Sequence, residues 1–429
     1  MSAIRVGICA LMAFSVLAHG AVEAWAEAVL EIGAAVLFAL WGLLVFRGRE
    51  IRFRWDLLCW PLLGFAGLSL FQYGARFTAY PYLTKLELLR LTAYLLLFFL
   101  ALQVFQTIQE RQRLVWFLLV LAFVVSVFAI IQSFTFNGKI YWFRELRYGG
   151  IPFGPYVNRN HFAGLVELLA PLGLAILVLR AVRPDQLPLV ALFTVVPIGA
   201  LFLSASRGGI ASFLIELGLL SILIWRKRGL RKHLVAAAAV LLLGGAMVTW
   251  LGVGRALERF GTVKTLEISE NRRFAVIRDT WHIFLDHPIL GTGLGTFVAV
   301  YPRYESFYEE KVFHHAHNDY VEALAETGMV GAVLGLLFVV LLFRLTFANL
   351  GSSRNSLHFA LHVGPLVACA GLLVHSLTDF NLHIPSNALI FLVQSALATS
   401  AIPSASGERS MRHEAILAKS MFDKPQPPV

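Results

Sequence analysis

The sequence predicts an all-α, polytopic membrane protein with about 12 transmembrane helices. Of its 429 residues, 58% are hydrophobic and only 14% are charged, whereas a soluble globular domain carries about a quarter charged residues. The apolar residues gather in runs close to 20 residues long, which is the length of a helix that crosses the hydrocarbon core of a bilayer. Because lipid offers the backbone no hydrogen-bond partners, runs of this length are expected to be helical.

The predicted helices belong to one transmembrane domain over residues 1–402. They lie at residues 4–21, 28–46, 56–73, 87–106, 114–135, 161–180, 187–205, 209–225, 233–252, 329–348, 357–378 and 385–402. The three cysteines each lie inside an apolar run, so neither a disulfide framework nor a cysteine zinc site is expected.

The basic residues predict which side of the membrane each loop faces. Every second short loop is rich in Lys and Arg, including 47–54 and 226–232, whereas the 22–27 loop has none. Positive residues stay on the cytoplasmic side, so both termini are expected to be cytoplasmic. This alternation is a topology signal and does not indicate a nucleic-acid groove. The first run, with Arg5 before it and AWA at 24–26, also resembles a cleavable signal, although a retained helix is preferred.

Two exterior segments follow from this topology. The first, 136–160, is rich in aromatic residues, and the second, 253–328, is a large periplasmic loop between helices 9 and 10. Within the second, the pattern of 274–287 predicts an amphipathic helix, lying on the membrane or packed over the bundle. The GTGLG run at 291–295 is interpreted as a flexible turn after Pro288. The tail 403–429 is predicted to be cytoplasmic and disordered.

The run FHHAHNDYVEALAETGMVG at 313–331 gathers three histidines before an apolar segment. His314 and His317 have the spacing of a helical metal pair, but no HExxH motif accompanies them, and no metal is expected. A neutral imidazole at the membrane surface can instead accept a proton near neutral pH, which makes His317 the leading candidate for a catalytic base. His315 is kept as a supporting candidate together with His314.

The residues after His317 have two interpretations. Asn318 and Asp319 are close enough to orient a proton-transfer site. Alternatively, one of them caps the helix that begins near Tyr320, with acidic residues in its first turn. Asp319 and Glu322 fit the capping interpretation well, whereas His317 fits it poorly.

Arginines on the exterior side predict an anion site. Arg207 stands in SASRGG, where two glycines permit close approach and a guanidinium suits a phosphate; a membrane-surface anchor is an equal alternative. Arg272 and Arg273 precede the amphipathic helix. Two interpretations fit them equally, phosphate contacts and solvated loop charges. Asp379 could line the same cavity, although a turn residue at a helix end is favoured. Further basic residues on this face are Lys139, Arg144, Arg147 and Arg159.

Several motifs together resemble those of the O-antigen ligase and polymerase superfamily. They are VNRNHFAG at 157–164, SRGG at 206–209, DHPILGTGLGTF at 286–297, HNDYVEALAETGMVG at 317–331 and LVHSLTDFNLHIPSN at 373–387. The resemblance covers roughly residues 150–390, and it is their combination in this order that is specific.

The resemblance implies a metal-independent, inverting glycosyltransferase of the bacterial inner membrane that uses no cofactor. Such an enzyme takes a glycan from undecaprenyl diphosphate on the periplasmic side and joins it to an acceptor hydroxyl, on another glycan or on the lipid A core. His317 matches the family's proposed base, and Arg207 and Arg273 match its diphosphate ligands, with Arg272 an alternative to Arg273. Membrane lipids are expected partners, and nucleic acid is not.

Two other functions stay open. One is a protein O-oligosaccharyltransferase, which differs only in its acceptor. The other is a transporter or flippase of lipid-linked sugars, which would need charged residues and broken helices near the middle of the bilayer. The apolar runs contain few charges, with Glu167 and Glu216 the notable exceptions, and this pattern favours an enzyme.

Overall fold

The computed structural model describes residues 1–48, 53–145, 151–228, 270–307, 312–353 and 355–402. The predicted span 233–252, much of the loop 253–328, Arg147 and the tail 403–429 lie outside the described residues. Within the described ranges the regular structure is helical, with no β-strand.

The described residues form thirteen α-helices. They are α1 Ser2–Leu17, α2 Ala24–Phe46, α3 Cys59–Gly74, α4 Pro81–Val104, α5 Ile108–Phe134, α6 Arg159–Leu179, α7 Leu187–Ser204, α8 Arg207–Arg228, α9 Glu270–Asp286, α10 Phe297–Val300, α11 Asp319–Ser352, α12 Ser356–His375 and α13 Pro385–Thr399. Short 3-10 turns stand at His19–Ala21, Pro184–Gln186, Tyr301–Arg303 and Asn381–His383.

Eleven of the twelve predicted apolar segments coincide with α1–α8 and α11–α13, and the twelfth lies outside the described residues. Eight of the described helices are long and apolar enough to cross a membrane. The helices α1, α3 and α13 have 16, 16 and 15 residues and fall short of that length. The all-helical, multi-pass character is therefore supported, while the total of twelve spans stays a prediction.

The centre of the bundle is formed by α6, α12 and α13. Nearly every residue of α6 and α13 is buried, including polar ones. Gly364 of α12 lies so close to α6 that a Cβ there would stand 3.0 Å from the Cα of Leu172, which is the close backbone approach that small residues permit between membrane helices. In contrast, α2 and α11 expose apolar side chains such as Val36 and Leu336, as expected for helices that face lipid.

One end of the bundle carries basic residues that tie helix ends together. Arg5 pairs with Glu110 at 2.8 Å, which joins the starts of α1 and α5. The fully buried Arg111 donates from Nη1 to the carbonyl of Leu397 at 3.0 Å and from Nη2 to that of Ser400 at 2.7 Å. These bonds satisfy carbonyl groups that a helix end leaves without intrahelical partners.

The opposite end holds the starts of α6, α8, α11 and α13. Here the imidazole Nδ1 of His19 lies 2.9 Å from the carbonyl oxygen of Pro155, and Asn318 Nδ2 donates to the carbonyl of Leu377 at 2.9 Å. Asn318 also caps α11, because its Oδ1 accepts the N–H groups of Tyr320 at 3.0 Å and Val321 at 3.1 Å. The capping interpretation of the sequence is thus correct for Asn318.

A kink divides α11 into two parts. Gly328 has φ 61° and ψ −163°, a backbone conformation that only glycine adopts readily. The turn 288–291 inserts there, and Met329 N–H donates to the carbonyl of Pro288 at 2.8 Å. The residues beyond the kink correspond to the predicted span 329–348.

The GTGLG run forms the predicted turn, but it is held by specific bonds. The carboxylate of Glu326 accepts the N–H groups of Gly295 and Phe297, each at 2.8 Å. Gly291, Gly293 and Gly295 all have positive φ, so the glycines are explained by the tight path around this carboxylate.

A second, smaller hydrophobic cluster packs α9, α10 and the histidine segment against the start of α11. It joins Val276 and Ile283 of α9 to Phe297 of α10 and to Phe313 and Ala316, just before α11. The predicted amphipathic helix is present as α9, and on it Phe274, Trp281 and Leu285 are exposed. This cluster is what holds the start of α9 and the histidine segment in place near each other.

Candidate functional site

A cavity of about 310 Å³ opens where the starts of α6, α8 and α9 meet the end of α12. This volume is within the range of small-molecule sites. The residues that line it are Arg159, Asn160, Arg207, Gly208, Arg273, Phe274, Ile277, His317, His375, Leu377 and Thr378.

Three residues predicted from the sequence meet in this cavity, although up to 110 positions separate them along the chain. Arg207, Arg273 and His317 all line it. Arg272 is exposed and is not among the lining residues, so of the two adjacent arginines it is Arg273 that faces the cavity. Their convergence depends on the hydrophobic cluster described above, which carries Arg273 at the start of α9 towards the His317 segment.

Arg159 and Asn160 bring the start of α6 into the site. Asn158 caps this helix by accepting the N–H of Asn160 at 2.9 Å. The side chain of Asn160 links two other elements, because its Oδ1 accepts from Ser206 Oγ at 2.8 Å while its Nδ2 donates to Asp379. Arg159 is buried and faces the cavity; the sequence had placed it only among the basic residues of this face.

The start of α8 is shaped by a tight turn. Ala205 has a positive φ of 55°, and Ser206 Oγ accepts the N–H of Gly209 at 3.2 Å. A Cβ at Gly208 would lie 2.7 Å from Thr378 Oγ1 and 3.0 Å from the ring of His375. Glycine is therefore required at 208 by packing, and the resulting close fit places Arg207 at the cavity wall.

His317 stands in a strained backbone conformation. Its φ is 53°, which is uncommon for a residue with a side chain and is found at functional sites. The imidazole Nδ1 lies 3.5 Å from Asp379 Oδ1, and the ring meets the edge of Phe380 with 5.1 Å between ring centroids. Only 13% of the side chain is exposed, so the ring is held between these neighbours and the cavity.

Asp379 lies behind His317 rather than on the cavity surface. It is fully buried, and Oδ1 also accepts the N–H of Phe380 at 2.9 Å. Burial acts to raise the pKa of Asp379, but the neighbouring His317, His161 and His375 outweigh this effect and hold the pKa well below its usual range. The carboxylate is thus ionised and can orient the imidazole of His317.

His315 belongs to a separate cluster beside the cavity. Its Nδ1 lies 2.8 Å from Glu322 Oε1, and the second oxygen of Glu322 accepts the N–H of Ala316 at 2.7 Å. His383 lies on the other side of the same carboxylate, with Nε2 3.4 Å from Glu322 Oε1. Its Nδ1 pairs with Asp319 at 2.6 Å. This network ties the histidine segment to α11 and to the turn before α13.

The carboxylates around His383 favour its protonated form. Burial acts to lower the pKa of His383, but the carboxylates of Glu322, Asp319 and Glu326 outweigh it and raise the pKa to about 10. His315, Glu322 and His383 bring ligand atoms within 4.8 Å of one another, a spacing that a metal ion could use. Because these groups are already bonded to one another and to Asp319, we interpret the cluster as a hydrogen-bonded brace.

The remaining predicted residues do not reach the cavity. The side chain of His314 is largely exposed, and its partial burial together with the nearby His315 lowers its pKa. Asp319 is part of the brace. Arg144 pairs with Glu23, and Lys139 pairs with Glu145 at 3.1 Å, so among the four additional basic residues considered from the sequence, Arg159 is the one described residue that lines the site.

The lining is cationic. Three guanidinium groups and two imidazoles face the cavity, and no carboxylate is among its described lining residues. The carboxylates of Asp379 and Glu167 lie behind the two histidines, with His375 Nδ1 2.9 Å from Glu167 Oε1. Sequence reasoning singled out Glu167 but missed His375. The only sequence signal for His375 was its position in the motif at 373–387, which resembles a family pattern.

The comparisons with known proteins agree with this geometry. Residues 192–336 match the family described as O-Antigen ligase, which confirms the resemblance to the O-antigen ligase and polymerase superfamily. The match covers about a third of the chain and includes Arg207, Arg273 and His317. A comparison with curated proteins found no match.

Proposed function

From the match to O-antigen ligases over residues 192–336, which supports a glycosyl-transferring role in cell-surface glycan synthesis, we propose that the protein moves a glycan from undecaprenyl diphosphate to an acceptor hydroxyl. The observation that carries the proposal is the single cavity that Arg159, Arg207, Arg273 and His317 share. A cavity with cationic walls and no acidic lining group suits a diphosphate.

The donor diphosphate binds to the guanidinium groups. Arg207 and Arg273 approach from α8 and α9, and Arg159 from α6, so the phosphates are held from three directions. Guanidinium groups form paired hydrogen bonds with phosphate oxygens. They therefore stabilise the negative charge that grows on the leaving diphosphate in the transition state.

His317 is the base that removes the acceptor's proton. Asp379 behind it orients the imidazole and stabilises the imidazolium that forms. The acceptor oxygen attacks the anomeric carbon from the side opposite the diphosphate, so the configuration inverts. Because the donor is already activated, this reaction needs no sugar nucleotide. The guanidinium groups neutralise the leaving diphosphate, a role that a metal ion would otherwise fill.

The polyprenyl chain leaves the cavity along α9. Phe274 and Ile277 line the cavity beside Arg273, and the exposed Trp281 and Leu285 continue one apolar side of the helix. An amphipathic helix at the membrane surface suits a lipid whose headgroup is polar and whose chain is apolar.

The site faces the periplasm in a bacterial inner membrane, and both termini are cytoplasmic. Support comes from the basic loops, whose described residues lie at the end of the bundle opposite the cavity. Positive residues favour the cytoplasmic side, which leaves the cavity on the other.

The acceptor is a further glycan or the lipid A core, and a protein side chain is the alternative. A transporter of lipid-linked sugars is the competing function. Its binding site would lie near the middle of the bilayer, whereas the lining residues of the cavity come mostly from helix ends.

Glycan transfer in proteoliposomes tests the proposal, with purified undecaprenyl-diphosphate glycan as donor and each acceptor in turn. His317→Ala should lower the transfer rate by at least about 100-fold, because general-base catalysis contributes on this scale, while donor binding is kept. Arg207→Ala should lower the transfer rate and should also weaken donor binding.

His358→Ala is the matched control, because this histidine lies at the start of α12, at the opposite end of that helix from the cavity. Full transfer by the His317→Ala variant would remove the base assignment. Movement of intact donor across the bilayer without transfer to any acceptor would favour the transporter.

A further inference from the structure

We propose that His375 is a second catalytic imidazole, which protonates the leaving diphosphate while His317 deprotonates the acceptor; this inference rests on the proposed function. His375 lines the cavity although only 1% of its side chain is exposed. Its Nδ1 lies 2.9 Å from Glu167 Oε1, and the opposite edge of the ring, with Nε2, faces Gly208.

Burying Glu167 and His375 inside the bundle costs free energy, which favours a functional role for the pair. Glu167 is fully buried in α6, the most enclosed helix of the bundle, and a second buried carboxylate, Glu216, approaches Gly371 of the same helix as His375. Buried charges within membrane helices are expensive and commonly serve function. A pair with purely structural value would not need an imidazole that reaches the cavity.

The two imidazoles of the cavity have the same design. Each ring presents Nδ1 to a buried carboxylate, His317 to Asp379 at 3.5 Å and His375 to Glu167 at 2.9 Å. A carboxylate at one ring nitrogen fixes the ring orientation and stabilises the protonated form, which leaves the other nitrogen to act on a substrate. The cavity therefore contains two imidazoles, each with its second ring nitrogen directed away from the carboxylate.

The geometry assigns His375 to the donor side. Its Nε2 edge lies against Gly208, directly after Arg207 at the start of α8. Backbone N–H groups at a helix start favour anions, and Arg207 is a proposed diphosphate ligand. His317 lies in the segment before α11 and is therefore assigned to the acceptor hydroxyl.

The reaction balances because one proton is taken from the acceptor hydroxyl and one is given to the leaving diphosphate. The acceptor O–H bond breaks and its proton moves to His317 as the new bond to the anomeric carbon forms. The bond from that carbon to the diphosphate oxygen breaks, its electron pair stays on the oxygen, and His375 Nε2 gives that oxygen a proton. Exchange with water returns both imidazoles to their starting states, so the net transfer is from acceptor to diphosphate.

Binding of the donor prepares His375 for this role. The charged and titratable groups around it are Arg159, His161 and Glu167 on α6, Arg207 and Glu216 on α8, Arg273 on α9, Asp319 at the start of α11, and His317 and Asp379 on the loops. The guanidinium groups oppose a proton on His375 in the empty cavity. A bound diphosphate neutralises them and favours the protonated ring.

The test measures kcat against pH from 5 to 10 for the wild type and for His375→Gln in proteoliposomes, with donor affinity measured separately. An enzyme that needs one base and one acid has a bell-shaped pH profile, so the wild type should lose rate at both low and high pH. His375→Gln should lower kcat by about 100-fold, keep donor affinity within a few fold and lack the fall at high pH.

His362→Gln is the matched control, because His362 is buried in the same helix, contacts the carbonyl of Ala398 and does not line the cavity. It should retain both limbs of the profile. If His375→Gln does not fold, Glu167→Gln serves instead, and its fall in rate should begin at lower pH because the imidazolium loses its carboxylate.

The outcomes separate the two proposals. A wild type that transfers no glycan overturns the proposed function. A wild type without the high-pH fall, or a folded His375→Gln variant with wild-type kcat and profile while His317→Ala is inactive, overturns only the role of His375.

Discussion

Asp379 shows how a single buried residue can set the chemistry of the cavity. Its carboxylate accepts hydrogen bonds from Asn160 Nδ2 and from the N–H of Phe380, and it faces the imidazole of His317. Because its pKa is held below its usual range, it remains ionised throughout the working pH of the enzyme. The ionised form stabilises the fold above the unfolded pKa of about 3.9, and this contribution is lost only as the pH falls through the lower folded pKa.

Asp379→Asn is expected to lower kcat by about 100-fold, because His317 loses the charge that stabilises its protonated state. Donor affinity should change little, since Asp379 does not line the cavity. Transfer rates and donor binding in proteoliposomes measure both effects. Asp185→Asn provides the control, as Asp185 is an exposed partner of Arg183 at the other end of the bundle. An Asp379→Asn enzyme with full kcat would contradict the orienting role.

The adjacent residues Arg272 and Arg273 offer a second test at this scale. Arg273 lines the cavity and Arg272 does not. Arg273→Ala should therefore weaken donor binding by about 10- to 100-fold, the equivalent of a hydrogen bond to a charged group. Arg272→Ala is the control and should stay within about twofold of the wild type, because Arg272 is exposed and does not line the cavity. Equal losses in the two variants would show that the cavity wall is assigned to the wrong arginine.

Among the helices, α11 combines a predictable feature with an unpredictable one. The sequence predicts its start near Tyr320 and a cap at Asn318 or Asp319, because capping depends on residues only a few positions apart. The kink at Gly328 was not predicted. It depends on the turn 288–291, which lies about 40 positions earlier in the chain and inserts its carbonyl groups at the break.

Gly328→Ala should destabilise the protein by at least about 1–3 kcal/mol, because alanine disfavours the positive φ and its Cβ would stand 2.3 Å from the carbonyl oxygen of Ile289. Thermal unfolding in detergent measures the loss. Gly335→Ala is the control in the same helix, where a Cβ meets nothing within 4 Å, and it should be neutral or slightly stabilising. If the two variants unfold alike, the kink is not a rigid feature of the fold.

For the molecule as a whole, local patterns predict the elements but only part of the site. Apolar runs locate eleven described helices because membrane helices satisfy their own backbone. His317, Arg207 and Arg273 were identified by residue type and by family resemblance. The pairing of His375 with Glu167 was not, because α6 and α12 are separated by about 200 positions and only their packing brings the two side chains together.

The arrangement of the bundle also predicts which ends face which compartment. Contacts from Arg5, Arg54 and Arg111 gather several helix ends on one side, while Tyr141 donates to the carbonyl of Leu17 at the other. Phe143 is 76% exposed beyond that second end. If positive residues stay cytoplasmic, the cavity and Phe143 lie on the same, periplasmic side.

Cysteine labelling tests this sidedness directly. In cells with a permeabilised outer membrane, a membrane-impermeant maleimide should label Phe143→Cys, whereas Arg47→Cys should react only after the inner membrane is opened. The native cysteines Cys59 and Cys369 are buried and Cys9 is partly buried, so the wild type serves as the background. If only Arg47→Cys is labelled while the inner membrane is closed, the orientation is the opposite of the predicted one. The cavity would then face the cytoplasm, where a lipid-linked donor presented in the periplasm could not reach Arg207 or His317.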